Sequence, residues 1–179
     1  MLRLMLLRHA KTERDAPTGH DRDRRLDERG HRDAATMAQW MVDNGYIPDL
    51  ALVSTATRAR QTWAAMAPLM PETRVELADE LYHADASDLL QIVRLADASS
   101  PRSLVVVAHN PSLHELALTL PARGDKAGLR ALIDNLPTMG LAVIDFAIDD
   151  WTDIAFRSGT LALFQSPKLL RQPSASGTD

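Results

Sequence analysis

The chain has 179 residues, of which 45% are hydrophobic and 25% are charged, and its formal net charge is -4 at pH 7. This composition is typical of one globular domain with a sizeable core, and it excludes a disordered or fibrous chain. We expect no membrane partner, because no apolar run approaches the roughly 18 residues of a span. We expect no nucleic-acid partner, because the acidic balance gives no basic field. Without cysteine, the chain has neither a disulfide framework nor a thiolate zinc site.

Short apolar runs and longer stretches with helical spacing alternate along the chain. The continuous apolar run that opens it is typical of a strand covered on both faces. Asn110 followed by Pro111 predicts a helix start with Asn110 as the cap, while Thr57 and either Asp85 or Ser87 are the expected caps of two other helices. In chain order, the predicted elements are a strand over 2–7, a helix over 31–44, a strand over 50–53, a helix over 58–70, a helix ending near 95, a strand over 104–108, a helix over 110–120, a short helix over 129–133, and strands over 141–148 and 154–164.

This alternation predicts an α/β fold, namely a three-layer α/β/α sandwich with a mostly parallel central sheet. The last two strands are close enough in sequence to pair in antiparallel fashion, with an antiparallel strand at the edge of the sheet. We expect a single domain over residues 1–165 and a flexible tail over 166–179, where prolines, serines and a glycine concentrate. The opening apolar run is too short for a signal peptide, so a cytoplasmic location is expected.

Charged and imidazole side chains follow the predicted strands at the points where these end. The first strand runs into Arg8 and His9. The third runs into His109, and the helix after the second begins at Arg58. Ligands of open α/β sheets bind beyond the carboxyl ends of the strands, and helix N-termini favour anions. The sequence therefore predicts a phosphate pocket at the carboxyl end of the parallel strands.

Four segments of the chain resemble the motifs of the histidine phosphatase superfamily, in the family's order over residues 2–164. They are 7–12 (LRHAKT), with Ala10 in place of the usual glycine; 23–26 (DRRL) with Gly30; 54–62 (STATRARQT), with Thr55 where proline is common; and 107–111 (VAHNP). The HNP form and the short chain are most similar to the SixA-type phosphohistidine phosphatases. If the backbone at position 10 needs a positive φ, alanine would be strained there.

The resemblance implies a phosphoglycerate mutase-like fold and a phosphatase that needs neither a metal nor a cofactor. It implies that His9 is the nucleophile and forms a phosphohistidine intermediate. Arg8, Arg58 and His109 would bind the phosphoryl oxygens and stabilise the transferring group. The same motifs suggest Thr12 and Asn110 as further phosphate contacts.

The proton donor to the leaving group is left open between two carboxyl groups. Glu80 lies where the superfamily's acidic residue tends to fall, and it could serve if burial keeps it protonated. Asp15, in the loop after the nucleophile, is the alternative. Arg24 is expected at most to support the pocket.

The connections around the predicted site are short, which favours an open pocket and a phosphate displayed on a protein. We expect a phosphorylated substrate, with a histidine-phosphorylated protein domain as the first candidate, and a monomer or weak dimer. One alternative is a small-molecule phosphomonoesterase or a phosphoglycerate mutase-like enzyme. Another, of a different class, is a phosphate-binding module without catalysis.

Overall fold

The computed structural model describes residues 1–96 and 101–172 and contains one seven-stranded sheet. The strands are β1 (Leu2–Arg8), β2 (Leu50–Ser54), β3 (Arg74–Ala78), β4 (Ser103–Ala108), β5 (Pro121–Gly124), β6 (Leu141–Phe146) and β7 (Gly159–Gln165). Their order across the sheet is β3-β2-β4-β1-β6-β7-β5. Every neighbouring pair is parallel except the two that involve β6, which runs antiparallel to both β1 and β7.

Helices cover both faces of this sheet. They are α1 (Glu28–Asp43), α2 (Thr57–Met66), α3 (Ala86–Arg94), α4 (Ser112–Thr119), α5 (Lys126–Asp134) and the short α6 (Pro167–Leu170). One hydrophobic cluster joins α1, α2 and α6 to the sheet, and a second joins α3, α4 and α5 to its other face. The predicted three-layer α/β/α sandwich with a mostly parallel sheet is therefore confirmed.

The apolar run of β1 is continuous because the strand is buried on both sides. Leu4 and Leu6 belong to one cluster, whereas Met5 and Leu7 belong to the other, and all four are 0% exposed. Successive side chains of a strand point to opposite faces. A strand at the centre of a covered sheet therefore needs apolar residues at every position.

The position of the antiparallel strand differs from the prediction. The last two strands do pair in antiparallel fashion, but β6 lies inside the sheet and the edges are β3 and β5. Both edge strands were missed. Val75 and Leu77 of β3 are 42% and 58% exposed, so its pattern is not that of a buried strand, and β5 is only four residues long and begins with Pro121.

The predicted helix caps hold in one case out of three. Asp85 caps α3 and forms a capping box with Asp88. Thr57 is not a cap, because α2 follows Ala56 and has no side-chain cap. Asn110 is not a cap either, because α4 begins at Ser112. The side-chain amide of Asn110 donates to the Leu136 carbonyl instead.

Part of the predicted flexible tail is folded. The Ser166 hydroxyl accepts a hydrogen bond from the Leu169 amide and starts α6, and Arg171 forms a 3.1 Å ion pair with the carboxylate of Asp33 on α1. The tail prediction is therefore wrong for residues 166–172, and residues 173–179 lie outside the described part. Within the described ranges, no helix has both the length and the apolar character that crossing a bilayer demands.

Candidate active site

The carboxyl ends of three adjacent parallel strands bring the two predicted histidines together. β4 lies between β1 and β2 in the sheet. His9 follows directly after β1 and His109 directly after β4, and their ring centroids are 5.3 Å apart. Both side chains are buried, at 6% and 7% exposure. The two histidines therefore lie side by side at the carboxyl end of the sheet.

The proton position on His9 follows from its hydrogen bond. Its Nδ1 lies 2.8 Å from the carbonyl oxygen of Ala10, and a carbonyl oxygen can only accept. In the neutral ring Nδ1 therefore carries the hydrogen and Nε2 carries the lone pair. Burial above all, together with the nearby His109, Arg58 and Arg8, lowers the pKa of His9 to about 3, although the hydrogen bond to the Ala10 carbonyl opposes this shift. His9 is thus a neutral imidazole with a free Nε2 at pH 7.

The loop after His9 is fixed by two close contacts. The Ala10 amide donates to the Thr62 hydroxyl at 2.9 Å, which in turn donates to the Arg58 carbonyl at 2.7 Å. A Cβ on Gly30 would stand 2.1 Å from the Lys11 carbonyl oxygen, so only glycine allows α1 to approach this loop. Ala10 itself is not among the residues of positive φ. The alanine in the family's glycine position is therefore not strained.

The Nε–H groups of Arg8 and Arg58 form no hydrogen bond within the described structure. The Nε atoms of both guanidinium groups are buried and have no partner among the described residues. Burial and the positive charges of Arg24 and Arg58 lower the pKa of Arg8, which shows that like charges converge here. An anion placed between these groups would satisfy the free donors and relieve the repulsion.

His109 is held through its Nε2, which lies 2.8 Å from the buried Ser54 hydroxyl. Ser54 Oγ already accepts from the Ala56 amide, so its own hydrogen is available for Nε2. The Nδ1 of His109 is buried without a partner in the described structure. It is therefore the nitrogen left for a phosphoryl oxygen. Burial, followed by the charge of Arg58, lowers the pKa of His109 to about 4, so the ring is neutral at pH 7.

The two residues suggested as further phosphate contacts, Thr12 and Asn110, lie in different settings. The Asn110 amide donates to the Leu136 carbonyl at 2.8 Å, and Arg8 donates to the same oxygen at 3.2 Å. Asn110 thus shares an acceptor with Arg8, and its own Oδ1 is buried without a partner in the described ranges. Thr12 is half-buried and forms an isolated antiparallel bridge with Leu26.

Neither candidate proton donor has the environment that the role requires. Glu80 lies in a 3-10 turn after β3, Asp79–Leu81, and is exposed. The burial on which the proposed role of Glu80 depended is absent. Asp15 is also exposed and lines a shallow depression with Asp21 and Arg24.

Sequence reasoning missed Asp21 and Tyr82. Asp21 Oδ2 accepts from Arg58 at 3.0 Å and from the Tyr82 hydroxyl at 2.8 Å. The Tyr82 ring meets the His109 ring edge-on, at 5.5 Å between centroids. Asp21 lies in a polar stretch rich in charges of both signs, which gives no signal of its own. Tyr82 could have been found only by its closeness to Glu80 in the sequence.

Among residues 1–96 and 101–172, no three His, Asp or Glu side chains group closely enough to hold a metal ion.

Comparison with known proteins supports the same family. The family model of the histidine phosphatase superfamily (branch 1) matches residues 4–92. An uncharacterized protein of Mycobacterium tuberculosis is 34% identical over 90% of this chain and 100% of its own length. A structure provisionally named phosphohistidine phosphatase SixA, from Agrobacterium tumefaciens, is 34% identical with a TM-score of 0.74 over 93% of this chain and 98% of its own. A second, from Nakamurella multipartitia, is 28% identical with a TM-score of 0.79 over 93% and 96%.

More distant structures share the fold alone. A mycobacterial glucosyl-3-phosphoglycerate phosphatase is 19% identical with a TM-score of 0.61, over 90% of this chain and 98% of its own.

Proposed function

The chain belongs to the histidine phosphatase superfamily, which makes it a phosphatase, and we propose that it acts through phospho-His9 on phosphohistidine displayed by a protein. The observation that carries the proposed chemistry is the pairing of a neutral His9 with unused arginine donors. The free Nε2 is the nucleophile, and the Nε groups of Arg8 and Arg58 are the anion cradle. Such preorganised donors stabilise charge on a transferring phosphoryl group.

The reaction proceeds in two steps. His9 Nε2 attacks the phosphorus, an N–P bond forms, and the bond to the leaving group breaks, with the electron pair going to the leaving nitrogen, which takes a proton from solvent. Water then attacks the phosphorus of phospho-His9 and releases inorganic phosphate, and His9 Nε2 recovers its lone pair. Arg8 and Arg58 supply the positive charge in both steps, without a metal or a cofactor. With an imidazole leaving group, a strong carboxylic acid is not required, in keeping with the exposed Glu80.

Two features support a protein as the substrate. The solved structure with 34% identity is provisionally named as a phosphohistidine phosphatase. On one side the pocket is bordered by short segments, since the turn Asp79–Leu81 is followed by α3 at Ala86. A pocket rimmed by short turns suits a phosphohistidine carried on a folded domain. A histidine-phosphorylated domain as partner would place the enzyme in the cytoplasm.

The decisive experiment compares substrates. Phosphate release is measured from a histidine-phosphorylated phosphotransfer domain and from a panel of phosphorylated metabolites, including phosphoglycerates and a sugar phosphate. We expect kcat/KM for the phosphoprotein to exceed that for every metabolite by at least about tenfold. A metabolite that wins would overturn the protein-substrate proposal and indicate a small-molecule phosphatase.

Two controls separate the chemistry from the substrate. Addition of EDTA should leave the rate unchanged, whereas a loss restored by a divalent cation would contradict the metal-free mechanism. Acid-quenched and neutral-quenched samples taken during turnover should differ in protein-bound phosphate, because phosphohistidine is labile to acid. A chain that binds phosphate and turns over none of these compounds would be a binding module without catalysis.

A further inference from the structure

The terminal nitrogens of Arg58 are anchored at the mouth of the pocket by Asp21. Its Nη1 donates to the Asp21 backbone carbonyl at 2.8 Å, and its Nη2 donates to Asp21 Oδ2 at 3.0 Å. The Arg58 side chain is 7% exposed, whereas that of Asp21 is 57% exposed. The 3-10 turn Asp21–Asp23 thus stands at the mouth of the pocket and reaches inward to the arginine.

This contact uses the terminal edge of the guanidinium group, formed by Nη1 and Nη2, and leaves the Nε edge without a partner in the described residues. Both terminal nitrogens donate to Asp21, and the Nε of Arg58 has no partner in the described part of the chain. Because the guanidinium group is planar and its five hydrogens point in fixed directions, anchoring the terminal edge also fixes the direction of the Nε–H. The unused edge is therefore presented in one orientation.

The Asp21 carboxylate is itself held by two further donors. The Tyr82 hydroxyl donates to Oδ2 at 2.8 Å, and Arg24 forms an ion pair with Oδ1 at 3.2 Å. The Arg58 guanidinium carbon also lies 5.7 Å from the centre of the Tyr82 ring. Although partial burial opposes it, the donors from Tyr82 and Arg58 lower the pKa of Asp21. The carboxylate is thus ionised throughout the neutral range.

We propose that Asp21 is a positioning residue that orients Arg58 for the phosphoryl group, and that Tyr82 secures Asp21 in turn. This inference rests on the proposed function, because Arg58 is there a ligand of the transferring phosphoryl group. It assigns to Asp21 no contact with the substrate and no proton transfer. Its effect on catalysis passes through the direction of one guanidinium group.

The test is a double-mutant cycle between Asp21 and Arg58. Asp21→Asn keeps the size of the side chain and removes the charge. We expect it to weaken binding of inorganic phosphate, measured by calorimetry, by about tenfold or more, and to lower kcat/KM by about 10- to 100-fold. In the Arg58→Ala background the same substitution should change either quantity less than about twofold, because the residue through which Asp21 acts is gone. Tyr82→Phe should reproduce a smaller part of the loss, about threefold.

Asp23→Asn is the matched control, since Asp23 lies in the same turn and its carboxylate accepts from Thr18 instead. It should leave phosphate affinity and kcat/KM within about twofold of wild type. Circular dichroism and thermal midpoints establish that each variant folds.

Three results would overturn the inference. They are tighter phosphate binding by Asp21→Asn, which would make the carboxylate a competitor of the substrate; an equal loss in the wild-type and Arg58→Ala backgrounds; and an equal loss in Asp23→Asn. Phosphate binding is measured without turnover, so it separates this inference from the proposed function. If wild type binds phosphate but hydrolyses no phosphohistidine, the substrate proposal fails while the binding cycle still decides the role of Asp21.

Discussion

The floor of the pocket and its mouth are held together in different ways. We define the floor as His9, Ser54, Thr62 and His109, which are all buried. The hydrogen bond between Ser54 and His109 joins the ends of β2 and β4, and the bond from the Ala10 amide to Thr62 joins the loop after β1 to α2. The mouth consists of Asp21, Arg22, Thr55, Asp79 and Tyr82, whose hydrogen bonds join side chains to one another, mostly at exposed positions.

The difference teaches which part of the site is rigid. Buried hydrogen bonds are costly to break, because the remaining partner stays unsatisfied. Exposed ion pairs contribute about 0–1 kcal/mol and weaken with salt. The positions of the His9 and His109 rings are therefore set by the floor, whereas the exposed contacts of the mouth are individually weaker. Arg58 belongs to both, because it is buried in the floor and anchored by the mouth.

The largest effect is expected at the nucleophile. His9→Ala should lower kcat/KM by at least about 10³-fold and abolish the acid-labile phosphoenzyme, while the fold survives. The matched control is His83→Ala, because His83 is exposed and lies beside the mouth, with its ring 4.1 Å from that of Tyr82 between centroids. This substitution should change kcat/KM less than about threefold. Retention of a tenth of wild-type activity by His9→Ala would remove His9 as the nucleophile.

The buried histidines also predict a loss of stability in acid. The pKa values of His9 and His109 in the folded protein are about 3 and about 4, against about 6.5 in the unfolded chain. Between pH 6.5 and 4.5 the unfolded chain therefore binds more protons than the folded one. The free energy of unfolding must decrease as the pH falls through this window, by about 4 kcal/mol for both rings together.

Urea titrations in phosphate-free buffer at pH 6.5, 5.5 and 4.5 measure this loss. The double variant His9→Asn, His109→Asn should show a flatter dependence across the same window. An unchanged pH dependence would mean that the two rings are not the source. The window lies above the ordinary pKa range of carboxyl groups, so aspartates and glutamates contribute little to it.

A smaller effect is expected for the hydroxyl that supports His109. Ser54→Ala leaves His109 Nε2 buried without its 2.8 Å partner, so kcat/KM should fall about tenfold and the free energy of unfolding by about 1–3 kcal/mol. Ser112→Ala is the control, because the Ser112 hydroxyl donates to the His109 carbonyl and not to the ring. Equal losses of activity in the two variants would show that the ring contact has no special importance.

The smallest effect is expected at the mouth. Arg22 contacts Thr55 and Asp79, and its guanidinium carbon lies 5.2 Å from the centre of the Tyr82 ring. Arg22→Ala should lower kcat/KM less than about threefold, and this small difference should vanish in 0.5 M salt. The exposed Arg60→Ala on α2 controls for the loss of one positive charge. A tenfold loss in Arg22→Ala alone would show that the mouth is as rigid as the floor.

The sequence predicted the floor better than the mouth. His9, Arg58 and His109 follow strand ends or begin a helix, so the topology of a parallel sheet alone brings them together. Asp21 and Tyr82 reach the site through side chains on turns, and no periodicity marks such contacts. Glu80 was placed by analogy with the family, but its exposure depends on β3 being an edge strand.

The same limit explains the errors in the fold. Continuous apolar runs indicate central strands, as in β1 and β4. The edge strands β3 and β5 bury little, and their residues resemble those of loops. The interior position of β6 depends on its pairing with β1, and the interior position of β7 depends on β5. The sequence pattern contains neither.

The central position of β1 has a consequence for folding during synthesis on the ribosome. The strand that leads to His9 is made well before its partners, since among the described strands it pairs with β4 and β6, which begin at Ser103 and Leu141. Its hydrogen-bonding edges must wait until β6 has been synthesised, and such distant pairings are slow to form. A nascent chain that stops before β6 therefore contains His9 without the strands that build the site around it.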